Sequence, residues 1–140
     1  MKVEVRVKSE SKSKRGLGEF GAHRKAVELF DLVVADITPL ASRFELGKLV
    51  SQQLASADSV AANIEEGFGR GSKKDYAHFL VMARGSAQET LGRCQRLAHW
   101  LPSDAVAKHK ALCEEIIAIL TTTIRTLRDA DSPHRRSGAE

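Results

Sequence analysis

The cationic side chains are the residues of this sequence whose type and spacing point to chemistry. Gly67-Phe-Gly-Arg-Gly-Ser-Lys-Lys74 is a glycine-rich turn between two helical patterns, and it brings Arg70, Lys73 and Lys74 to the start of the second. Backbone N–H groups at a helix N-terminus, joined by cations, favour a phosphate or a carboxylate. The segment is not a P-loop, because no strand pattern precedes it and no Gly-Lys-Ser/Thr closes it. The plainer alternative is a tight interhelical turn with solvated lysines, and both readings stay open. Arg93 and Arg96, with Arg84 one stripe away, form a second basic patch, and Lys12, Lys14 and Arg15 a third. Tyr76 and Trp100 are the aromatic residues near the second patch, and both fit a core or an interface better than a stacking platform. Phosphate-level contact is therefore expected rather than base reading.

Other chemistry finds little support. A di-iron centre in a helical bundle needs a Glu-x-x-His on each of two helices and two further carboxylates. Asp75-Tyr-Ala-His78 is the one comparable spacing within a predicted helix, so neither metal nor cofactor is expected. Cys94 and Cys113 lie in separate apolar patterns, as reduced core thiols of a cytoplasmic protein would. No constellation for nucleophilic catalysis is visible, and the reading is of a non-enzyme.

The charge is unevenly placed. The chain of 140 residues has a formal net charge of +4. Its first 25 residues hold eight Lys or Arg against three Glu, which leaves fourteen basic and fifteen acidic residues for the rest. A basic segment attracts nucleic acid or another anionic surface, whereas the remaining body is near neutral. No apolar run approaches the ~20 residues that span a bilayer, and the N-terminus has no apolar h-region, so neither membrane insertion nor a secretory signal is expected.

These residues must be positioned by helices. Residues 1–21 read as a flexible basic arm, rich in Ser, Lys and Gly, in which MKVEVRVK alternates like a strand without a second strand to pair with. Ala26, Leu29, Phe30, Val33, Ile37, Leu40 and Phe44 recur at spacings of three and four, which predicts a first helix over 22–44. Pro39 should kink or split it near residues 37–38. Val27, Val34 and Ala41 add a second apolar stripe, and extra apolar width on the fourth helix makes a similar case for subunit contacts. A second helix over 47–67 carries many small residues and reads as central. Gly67 suits a left-handed C-cap. Ser72, with Asp75 three residues on, should cap a third helix. That helix is expected to be the longest and to reach Leu101 before Pro102. A fourth runs to about residue 130, with Val106, His109, Cys113, Ile116 and Leu120 inward, and 131–140 form a polar tail. The fold class expected is all-α, an antiparallel up-and-down four-helix bundle over 22–130. Glu66 and Arg84 are expected partly buried and paired across the second and third helices, with Asn63 capping or bridging backbone near the turn.

Asn63-Ile-Glu-Glu-Gly-Phe-Gly-Arg70, Ser72-Lys-Lys74 and Phe79-Leu-Val-Met-Ala-Arg-Gly-Ser86 resemble the four-helix-bundle family of 23S rRNA intervening-sequence proteins, also called S23. The resemblance covers roughly residues 24–128 and is specific over 59–86. It implies a closed bundle and a ring-like homopentamer, as in some members and in the similar accessory proteins of diversity-generating retroelements, which bind nucleic acid and a reverse transcriptase. It brings no catalytic residues. It marks Asn63, Glu66, Gly67, Gly69, Arg84 and Gly85 as structural positions of the motif. The chain departs from the family pattern at Leu54 and Ala55, where paired arginines are usual, and at Ala61, where proline is usual. The loss of two cations weakens the case for RNA contact through the second helix. The partners expected are further copies of the chain and RNA or DNA. The alternative is a structural or protein-binding scaffold with no nucleic-acid role.

Overall fold

A computed structural model describes residues 16, 17 and 20–131, all of whose regular elements are helical. The expectations for the arm, Lys12, Lys14 and Arg15 included, and for most of the tail lie outside the described residues. Four α-helices follow in order: α1 (Gly21–Ile37), α2 (Gly47–Phe68), α3 (Lys73–Leu97) and α4 (Ser103–Ala130). Each helix packs against its sequence neighbours, and α1 also packs against α4, which closes an antiparallel bundle.

Local chemistry sets the boundaries. α1 stops where Pro39 interrupts the pattern, and the chain continues through 3-10 turns at Thr38–Ser42 and Phe44–Leu46. The first helix is thus split at the expected place, but Phe44 belongs to the connection and is 96 % exposed rather than part of the inner stripe. Ser72 caps α3 as expected, its Oγ accepting the Asp75 N–H at 3.1 Å. α3 is shorter than the sequence pattern predicts. It ends at Leu97 because Pro102 disfavours a helical residue 101, and the last turn tightens into a bond from the Trp100 N–H to the Leu97 carbonyl. With 28 residues, α4 is the longest helix instead.

The core is built from the inward stripes. Leu29, Val33 and Ile37 of α1 meet Val60 and Ile64 of α2, Leu80, Ala83 and Ala87 of α3, and Cys113, Ile116 and Leu120 of α4 in one cluster. Each wholly buried Leu or Ile contributes about 1.5–3 kcal/mol through removal from water. The extra width of α4 is absorbed within the chain, since Ile117 and Ile119 pack partly buried on this core. The second stripe of α1 is not absorbed: Val27 and Val34 remain 40 % and 39 % exposed.

Gly67 has a different role from the one expected. No described residue has a positive φ, and Gly69, in a right-handed conformation, follows the end of α2. Gly67 is needed for proximity. A Cβ there would stand 2.8 Å from Phe79 Cβ and 3.1 Å from Tyr76 Cδ1, so α2 and α3 approach too closely for a side chain. Gly85 is the opposite case, exposed in mid-helix with open space where a Cβ would stand. Thermal unfolding should separate the two. Gly67→Ala is expected to destabilise by about 1–3 kcal/mol through overpacking. Gly85→Ala is expected to stabilise by about 0.5–1 kcal/mol through helix propensity. A stable Gly67→Ala protein would remove the close-approach account.

Candidate nucleic-acid interface

Antiparallel packing sets the start of α3 beside the end of α4. The groove between them holds two adjoining cavities with Arg128 common to both. The first, about 440 Å³, has Lys73, Lys74 and His78 on the α3 side and Leu127 and Arg128 on the α4 side, with Asp131 beyond. The second, about 320 Å³, lies further along and is lined by Arg84, Thr121, Arg125, Arg128 and Asp129. Arg84 is half-buried and donates to Thr121 Oγ1 at 3.2 Å, which fixes its guanidinium across the groove. Lys73, Lys74, Arg125 and Arg128 are exposed. Five permanent cations and one histidine thus face two carboxylates, and no Phe, Tyr or Trp lines either cavity. Lys74 and Arg84 are ten residues apart on α3, which places the two cationic groups about 15 Å apart along the helix.

The structure divides the sequence candidates. Lys73 and Lys74 join the groove, but Arg70 does not line it. Its guanidinium pairs with Glu66 at 2.7 Å, one turn earlier on α2, and lies over the Phe79 ring at 4.8 Å. Glu66 is exposed and does not reach Arg84, so the expected pair across α2 and α3 is replaced by two separate contacts. Asn63 does bond backbone, donating from Nδ2 to the Ser59 carbonyl within its own helix. Arg96 is exposed in the last turn of α3, where a cation complements the negative pole of the helix.

Arg93 is the main correction. The sequence places it on a basic surface patch with Arg96, yet it is only 6 % exposed. Its Nη1 donates to Gln53 Oε1 at 2.9 Å, to Ser56 Oγ at 3.1 Å and to the Gln52 carbonyl at 3.4 Å. Nη2 reaches Glu89 at 3.4 Å. The Thr90 hydroxyl donates to the Ser86 carbonyl, so the 2.7 Å contact between Ser56 and Thr90 is donated by Ser56. Gln53 Nε2 completes the set by donating to the Thr90 carbonyl. The guanidinium therefore holds α2 to α3 and offers no surface charge to a ligand.

A matching model of known proteins, that of the 23S rRNA-intervening sequence proteins, covers residues 19–122. The chain belongs to that family. No curated protein matches it. In this family member the quoted motif holds the α2–α3 hairpin through Gly67 and Ser72, and it contributes Lys73, Lys74 and Arg84 to the groove.

Arg125 and Arg128 were missed because they lie some fifty residues from the turn. Thr121, Arg125 and Arg128 share one face of α4, and the antiparallel register of α3 and α4 would have brought that face to Arg84. His109 faces inward as the sequence pattern expects, and its partner on α1 is what that pattern does not show. This histidine is wholly buried, with Nε2 2.8 Å from Asp36 Oδ2, and joins α4 to α1. Its Nδ1 has no partner. A proton on Nε2, donated to Asp36, leaves a bare lone pair there rather than a stranded N–H.

Cys94 and Cys113 are buried and free. Burial raises both thiols, Cys113 to about 12 with further help from Cys94 and Glu114, so neither is an activated nucleophile. Among the described residues no group of three or more His, Cys, Asp or Glu is placed to hold a metal ion. No described helix is long and apolar enough to cross a membrane.

Arg93→Ala separates structural from surface cations. It strands Gln53 and Ser56, and is expected to destabilise by about 2–4 kcal/mol while folded protein keeps its affinity for polyanions. A large loss of polyanion affinity without loss of stability would return Arg93 to the binding surface.

Proposed function

We propose that this protein is a non-enzymatic, self-associating accessory protein that binds nucleic acid through phosphate contacts. The observation that supports this reading is the α3–α4 groove, where Lys73, Lys74, Arg84, Arg125 and Arg128 meet from two helices, from one end of the bundle to the middle of α3. α1 begins at this same end, and the sequence that precedes it includes Lys12, Lys14 and Arg15. His23, near the start of α1, contacts Glu65, near the end of α2, at 2.8 Å. Family membership and buried reduced thiols suit an RNA-associated protein of the cytoplasm.

Fluorescence anisotropy with a structured RNA and a DNA duplex at two salt concentrations tests this. Binding should weaken steeply with salt, because each phosphate contact releases counterions. Neutralising Lys12, Lys14 and Arg15 to Gln should weaken binding further and reduce the salt slope by about one per phosphate contact removed. No binding at low salt would overturn the reading in favour of a protein-binding scaffold. Phe44, at the opposite end, is the observation that favours that second reading.

Self-association is assigned to the outer stripe of α1, and a homopentamer is the assembly the family resemblance implies. Val27→Glu with Val34→Glu should shift sedimentation to the monomer at unchanged helicity. An unaltered oligomer would exclude this stripe.

A further inference from the structure

We infer that the α3–α4 groove takes a double-helical segment rather than a single strand, and that it reads only the phosphate backbone. This rests on the proposed nucleic-acid role and specifies the ligand of that site.

The chemistry of the groove separates the two ligands. Proteins that hold single strands supply aromatic platforms, which replace the stacking an unpaired base lacks. Neither cavity is lined by a Phe, Tyr or Trp, and the one ring present, His78 in the first, has no second ring in the cavity with which to sandwich a base. Tyr76 is half-buried against Phe68, and Trp100 stands with His99 beyond the far end of α3. The bases of a duplex are already stacked and need nothing from the protein. What the groove offers is charge on two rigid walls, with Lys73, Lys74 and Arg84 from α3 and Arg125 and Arg128 from α4. A purely electrostatic site favours the polymer of higher charge density. The return in counterion release is about 0.9 per contact on a duplex and about 0.7 on a single strand. The half-buried Arg84, held on Thr121, has little freedom to follow a flexible strand.

The test uses the full chain with a 5′-labelled RNA duplex, a DNA duplex of the same sequence and an unstructured single strand of equal length. Both duplexes are expected to bind at least tenfold more tightly than the single strand, irrespective of sequence. The five groove contacts should contribute a several-hundred-fold fall in duplex affinity between about 50 and 200 mM salt, in addition to what Lys12, Lys14 and Arg15 contribute. In Arg125→Gln with Arg128→Gln, both exposed and outside the core, the total loss should shrink about twelve-fold with an unchanged melting temperature. A single strand bound as tightly as the duplexes would overturn the inference and leave the nucleic-acid role standing. So would a double variant that keeps the parental affinity and salt slope. Absence of binding to all three polymers would overturn both.

Discussion

A charged guanidinium buried between two helices constrains the rest of this bundle. Arg93 would be costly inside the protein unless its donors were satisfied, and α2 satisfies them with Gln53, Ser56 and the Gln52 carbonyl. These partners occupy a single turn of α2, from Gln52 to Ser56, so sliding either helix by more than a turn would strand the charge. The close crossing at Gly67 fixes the same pair of helices near the opposite end. With α2 and α3 held in register at two points, the position of the turn between them is set, and α4 returns along α3 to a defined place. The meeting of Arg84 with Thr121, and hence the shape of the basic groove, follows from contacts that carry no functional charge themselves.

The two ends of the bundle differ in character. The α2–α3 turn, the start of α1 and the last turns of α4 gather cations at one end. The other end has the Pro39 connection, the exposed Phe44 and Trp100. The body has little net charge, and what it has is concentrated by topology rather than by composition. The chain, with Leu54 and Ala55 on α2, thus presents its cationic surface on α3 and α4.

Much of the fold was legible in the sequence. Spacings of three and four located all four helices, Pro39 located the break after α1, and Ser72 with Asp75 located the start of α3. What was not legible depended on the partner helix. Arg93 sits three residues after Thr90 and four before Leu97, both buried, but an arginine on that stripe reads as inward only once Gln53 and Ser56 are known to face it. Glu66 and Arg84 looked like partners because they flank a turn, yet a glutamate one turn before Arg70 has a nearer cation. The groove was half legible, through Lys73, Lys74 and Arg84. Its other wall required the register of α3 against α4, which no local pattern encodes. Gly67 shows the same limit, since residue type announced a special backbone position while only packing told which kind.

An even number of antiparallel helices has a further result. The polypeptide passes into α1 and out of α4 on the side of the α2–α3 turn. A segment joined before α1 or after α4 is therefore attached at the end of the bundle where the cationic groove begins. The far side is reachable only by changes within the 38–46 and 98–102 connections. One pole of the molecule is free to lengthen and diversify, while the other must vary within short loops of nearly fixed span.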